Sequence, residues 1–225
     1  DYLAKVTTLE GEKEHRLGCS GIDGVAFGPK FGSASGKEYL TVAYGVYSDK
    51  SRSDNDYQVL LQYDVTGWKK YERPLSQDNM HQMGPKKPSA QYFALTGNTN
   101  YGVQNLEYDA YTHSWLMAVY KGSKEQYPNY SLFAVDASAR PVKQPLQGIP
   151  YIKKGLVVPL KQAGLQDEKT GIRGWMWGVG STGMASLGDG YFYFSHNYNS
   201  EAGQGSKIRL YRYSGRADQA FDEVK

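Results

Sequence analysis

The chain has 225 residues, enough for one large domain with a sizeable core. Its 26 Lys and Arg against 23 Asp and Glu leave a net charge of only +3, too small a surplus for a nucleic-acid footprint, and no apolar stretch reaches the roughly 18 residues of a membrane-spanning helix. Cys19 is the only cysteine, which excludes an intrachain disulfide and a cysteine-based metal cluster, while 20 Tyr and 26 Gly favour strands and tight turns over helices.

In chain order, residues 2–6 and 12–16 read as the two outer strands of a repeated unit, and the start at Asp1 reads as that of a processed or truncated product. Gly21, Asp23, Gly24 and Val25 then open a pattern that recurs as Gly102, Gln104, Asn105 and Leu106 and again as Gly180, Thr182, Gly183 and Met184. The three copies lie roughly 80 residues apart, a repeat length that implies a repeated architecture. After each copy comes an uncharged apolar run, at residues 39–44, 115–120 and 191–194, which predicts a strand buried on both faces. A polar loop and a third strand follow, at 58–64, 131–136 and 207–213, and a more polar fourth strand is expected at 69–73, 141–144 and 220–224. Four strands per unit is the count of a propeller blade.

The expectation is therefore an all-β fold, a partial β-propeller of three four-stranded blades plus the outer half of a preceding blade. Residues 1–20 supply that half, 21–75, 101–146 and 179–225 are the blades, and 76–100 and 147–178 are inter-blade excursions. Within the second excursion, residues 161–167 could form a helical turn, limited by Pro159 and Gly164. Since three and a half blades cannot close a ring, the remaining segment is expected in cis or as another chain.

Strand direction alternates within a blade, so the first-strand entries and the hairpins between second and third strands share one face. Asp23, Gln104, Asn105 and Thr182 are expected there beside a central channel, overhung by loops 47–57, 120–131 and 196–207. His196, at a second-strand end, is the candidate acid or base, because imidazole titrates near neutrality. Tyr44, Tyr47, Tyr120 and Tyr198 could stack on a sugar ring while their hydroxyls fix its orientation. Arg173 could clamp a carboxylate or phosphate. Other motifs read as structural: Gly188-Asp189-Gly190 as a hairpin turn, His113 as a solvated turn residue, and Trp175 and Trp177 as packing between blades.

The repeat as a whole resembles bacterial β-propellers with long blades, and the entry pattern around Gly21 and Gly102 is similar to that of propeller hydrolases and lectin-like proteins. These motifs are generic and carry over no family's catalytic residues. Three functions are weighed: binding of a polar ligand, above all a glycan; hydrolysis of a glycoside or phosphoester in the channel; and a protein-interaction scaffold. Hydrolysis of a glycoside needs two carboxyl groups, and the entry positions supply only Asp23. No cofactor is expected; calcium on Asp23 and Asn105 would have a sparse set of oxygen ligands. The composition suits an extracytoplasmic protein.

Overall fold

The computed structural model describes residues 22, 24–43, 49–78, 84–149 and 152–225. They build an all-β architecture of fifteen strands and one turn of 3-10 helix, in several sheets of which none closes on itself. The larger sheets correspond to the three sequence repeats, but they hold six, three and four strands rather than four each.

The first sheet runs in the order β1-β2-β3-β4-β9-β8, from β1 (Gly24–Pro29), β2 (Glu38–Ala43), β3 (Tyr57–Asp64), β4 (Ala90–Leu95), β8 (Val142–Gln144) and β9 (Gly155–Val157). Its fourth strand is therefore not the polar stretch 69–73. Trp68–Tyr71 forms the 3-10 turn, entered through Gly67 at φ 77°. The place beside β3 is taken by β4, part of the expected excursion. The reason is burial: β4 sends Tyr92 and Ala94 to one face and Phe93 to the other, where a strand rich in Lys and Arg would have buried its charges.

The second sheet is β5 (Thr99–Asp109), β6 (Ser114–Lys121) and β7 (Leu132–Asp136). Residues 142–144, expected to close it, join the first sheet as β8 instead. The free edge of β7 is met by the second excursion, through the bridges Leu132↔Trp175 and Val135↔Leu160. Within that excursion, residues 161–167 contribute no helix; β10 (Leu165–Gln166) pairs with β11 (Arg173–Gly174). The third sheet is the expected four-stranded meander, β12 (Met184–Ser186), β13 (Tyr191–Ser200), β14 (Gly203–Tyr213) and β15 (Phe221–Glu223). Segment 196–207 is no loop here; the β13–β14 ladder continues to Ser200↔Gly203.

The sheets stack face to face. Trp115, Met117 and Val119 of β6 pack toward the first sheet with Ala43, Leu60 and Tyr92, whereas Leu116 and Ala118 pack toward the third with Met184, Phe192 and Phe194. This is the two-sided burial that the apolar run 115–120 implies. The first strand of the second sheet, β5, lies beside both β1 and β12, so the three repeat-opening strands are neighbours. Gly24 and Gly28 make the close approach possible: a Cβ at Gly24 would sit 2.9 Å from Val103 Cγ1, and one at Gly28 would sit 2.7 Å from the Trp115 ring. The register also repeats. Val25 faces Val42, Leu106 faces Met117 and Met184 faces Phe194 across equivalent strand pairs. The other face of the first sheet is partly covered by Trp68, Leu146, Ile149 and Ile152.

Candidate functional site

The face of the β5 entry and the β6–β7 connection holds a groove of about 570 Å³ lined by Asn100, Val119, Tyr120, Lys121, Ser131, Met176, Trp177, Gly178 and Ser181. Each side has a local cause. Asn100 and Tyr120 are register partners at the end of the β5–β6 ladder, just before β5 bulges between Asn100 and Val103. That irregularity passes through Tyr101 at φ 64° and Gly102 at φ 76°. The opposite side is the extended segment after β11. Its alternation turns Trp175 into the core and leaves Met176 55% exposed.

Ser131 positions the aromatic wall. Its hydroxyl accepts a hydrogen bond from the Trp177 N–H (2.8 Å) and donates one to the Trp177 carbonyl (2.7 Å), fixing the residue on both sides. The Trp177 ring packs against Phe194, Tyr211 and Phe221 at centroid distances of 5.2–5.5 Å. Its indole Nε1–H is buried and has no hydrogen-bond acceptor among the described residues. Tyr120, 42% exposed, stands across the groove as an accessible aromatic face.

A buried polar cluster braces the neighbouring loops. Lys124, only 4% exposed, donates to Asp56 Oδ1 (2.5 Å), Asn55 Oδ1 (3.0 Å) and the Arg52 carbonyl. The Tyr127 hydroxyl donates to the other oxygen of Asp56 (2.8 Å), and burial, together with that carboxylate, pushes the tyrosine pKa well up. Loop 49–56 is thereby tied to loop 122–130. Asn129 donates its Nδ2 to the Lys124 and Tyr127 carbonyls, so the amide of the Asn129-Tyr130-Ser131 sequon is occupied within the fold.

The expected site residues are not all gathered at this groove. Tyr120 lines it, and Thr182 lies exposed immediately after the lining residue Ser181. Asp23, Tyr44 and Tyr47 lie outside the described residues. Gln104 donates Nε2 to the Tyr101 carbonyl (3.1 Å), bracing the bulge, and Asn105 stands opposite Ala118 in the ladder. Arg173 donates to Gln166 across the β10–β11 pair. The His196 Nε2 meets the Tyr211 hydroxyl at 2.9 Å, with the two rings stacked at 5.7 Å. Tyr198 lies over Gly205 near the tip of the β13–β14 hairpin, with the Lys207 ammonium 5.6 Å from its ring centre.

The turn motifs are where their chemistry implies. Gly188 and Gly190 adopt φ 81° and 90° on either side of Asp189, whose carboxylate accepts the Tyr191 N–H, and His113 sits exposed in the β5–β6 turn at φ 50°.

Two carboxylates do converge, at the far end of β5. Asp109 accepts from the Ser186 hydroxyl (2.6 Å) and from both the N–H and hydroxyl of Thr112, while Glu107 accepts the Ser186 N–H (3.0 Å). Burial, and secondarily Asp109, raises the Glu107 pKa. Among the described residues no group of three or more His, Cys, Asp or Glu is arranged to hold a metal ion.

Of this lining the sequence singles out Tyr120 as a stacking face and Trp177 as packing between blades, and nothing in it marks Asn100, Lys121, Ser131 or Ser181. Their only local signal is proximity to strand ends, which many solvated residues share. No family model matches the chain, and no curated protein or solved structure matches it either.

Proposed function

We propose that the chain is a binding module that takes a polar ligand with flat apolar faces, above all a saccharide, in the groove beneath Tyr120 and Met176. One observation carries this reading: an exposed tyrosine, an exposed methionine and a positioned tryptophan share a groove with the Asn100 amide and Ser181. Aromatic and thioether surfaces cover the C–H face of a sugar, while amide and hydroxyl groups receive its hydroxyls. Binding without bond breaking fits better than hydrolysis, because Glu107 and Asp109 are engaged by Ser186 and Thr112 at the opposite end of β5.

In the same reading the three sheets are successive blades of a propeller. Support comes from the repeated register and from the adjacency of β1, β5 and β12. The apolar side chains left exposed at both ends of the stack, Phe27 on β1 and Ile208 on β14, fit further blades supplied in cis or by another chain. A glycan ligand and the Tyr-, Gly- and Asn-rich composition agree with an extracytoplasmic setting.

The test is calorimetric titration against a panel of soluble oligosaccharides. At least one is expected to bind, and Tyr120→Ala is expected to weaken it about tenfold, the loss of one aromatic platform. Tyr111→Ala, at an exposed tyrosine in the β5–β6 turn, serves as the control and should leave affinity unchanged. The reading fails if no saccharide binds or if the two variants behave alike.

A further inference from the structure

The charge of the lining identifies the ligand more closely. Among the described residues lining the groove, Lys121 is the one that carries a formal charge, and none is an Asp or Glu. Its ammonium lies on an exposed residue, and among the described residues no carboxylate stands within ion-pair distance of it. Several other cations are paired with carboxylates within the fold. Lys124, three residues along, is held by Asp56, Lys37 by Asp64, and Arg209 by Glu223. Lys121 also has a fixed origin, since its backbone is paired with Thr99 at the end of the β5–β6 ladder. Tyr120 and Lys121 are consecutive at the end of β6, and both line the groove.

We infer that the groove recognises an anionic saccharide, with ring faces on Tyr120 and Met176 and a carboxylate or sulfate on Lys121. This rests on the binding reading above and adds the ligand's charge. The chemistry is complementary: a cation at the edge of an apolar platform attracts an anion without the desolvation cost of a buried pair. It also transfers to Lys121 the anion-holding part that the sequence suggested for Arg173, whose guanidinium is instead turned to Gln166. Because an ammonium is a point charge rather than a bidentate fork, carboxylate and sulfate should both be accepted.

Three probes of equal length separate the possibilities: a uronate oligosaccharide, the same oligosaccharide with its carboxylates reduced to alcohols, and a sulfated one. In low-salt calorimetry the two anionic probes are expected to bind about fivefold more tightly than the reduced probe. Added salt should shrink that advantage. Lys121→Gln, a change at an exposed position, should abolish it, so that the variant binds the anionic and the reduced probes alike, with the melting temperature unchanged. Equal binding of all three probes, or an undiminished preference in Lys121→Gln, overturns the charge assignment and leaves the binding module standing. Failure of every probe to bind overturns the charge assignment, and failure of the whole oligosaccharide panel overturns the binding module with it.

Discussion

Lys124 shows at the scale of one residue how the loops around the groove are held. Three donors of a buried ammonium find three acceptors, and Asp56 is further satisfied by Tyr127. Such a pair adds little over an apolar replacement, but breaking it strands a buried carboxylate. Lys124→Met is therefore expected to cost about 3–5 kcal/mol, and Asp56→Leu added to it should restore much of the loss. Urea denaturation of the two variants checks this; equal stability of Lys124→Met and the parent would show that the cluster is not buried in solution. Glu107 carries a pH signature of the opposite kind. Its folded pKa is raised, so from its ordinary value upward the folded state holds the proton more tightly than the unfolded chain. Stability is therefore lost as pH rises through that interval. Glu107→Gln, which keeps an oxygen for the Ser186 N–H, should be more stable than the parent at neutral pH, with the gain vanishing below the ordinary carboxylate pKa. Denaturant midpoints measured on either side of that interval decide the point.

At the scale of elements, the repeat glycines have a mechanical role. Gly102 and Gly180, equivalent in the sequence pattern, both adopt positive φ, at 76° and 104°. Each turns the chain just before or within its repeat-opening strand, a conformation costly for a residue with a Cβ. A Cβ at Gly180 would also stand 3.2 Å from the Phe194 ring and 3.4 Å from Ala118, at the seam between second and third sheets. Gly180→Ala is expected to destabilise by more than 1 kcal/mol, visible as a lowered melting temperature. The third strands end alike as well. Asp64 and Asp136 close β3 and β7 by accepting backbone N–H groups two residues on, from Thr66 and Ser138. Asp64 also meets Lys37 at 2.6 Å, and these bonds hold its pKa down to about 2. Whatever this exposed group contributes is therefore present above the ordinary carboxylate range and fades as pH falls toward that value.

For the whole molecule, stability follows the stack. The second sheet is covered on both faces, with Trp115, Leu116, Met117, Leu132 and Phe133 all buried, whereas β13 and β14 run out beyond Phe194 into an exposed hairpin. Hydrogen exchange should rank them accordingly: amides of β6 and β7 should open only with global unfolding, and those of 197–206 should exchange first. Equal protection of the hairpin and β6 would mean that another surface covers the hairpin in solution. Ile208, 64% exposed, and Phe27, 55% exposed, mark the two ends of the stack.

What could be read from the chain alone was whatever depends on neighbours in sequence. The uninterrupted run at 115–120 declared a strand buried on both faces, the Gly-Asp-Gly of 188–190 declared a turn, and the wealth of Tyr and Gly declared an all-β chain. Strand membership was settled only in three dimensions: 90–95 rather than 69–73 flanks β3, because the competition turned on which segment could fill two opposing apolar faces. The groove was likewise hidden. Ser131 and Trp177 lie on separate segments with no shared local pattern, and Lys121 stood out as the charge of the lining only once the fold had gathered that lining. Periodicity is a local property of a chain, whereas pairing of charges and enclosure of space belong to surfaces that the sequence brings together from afar.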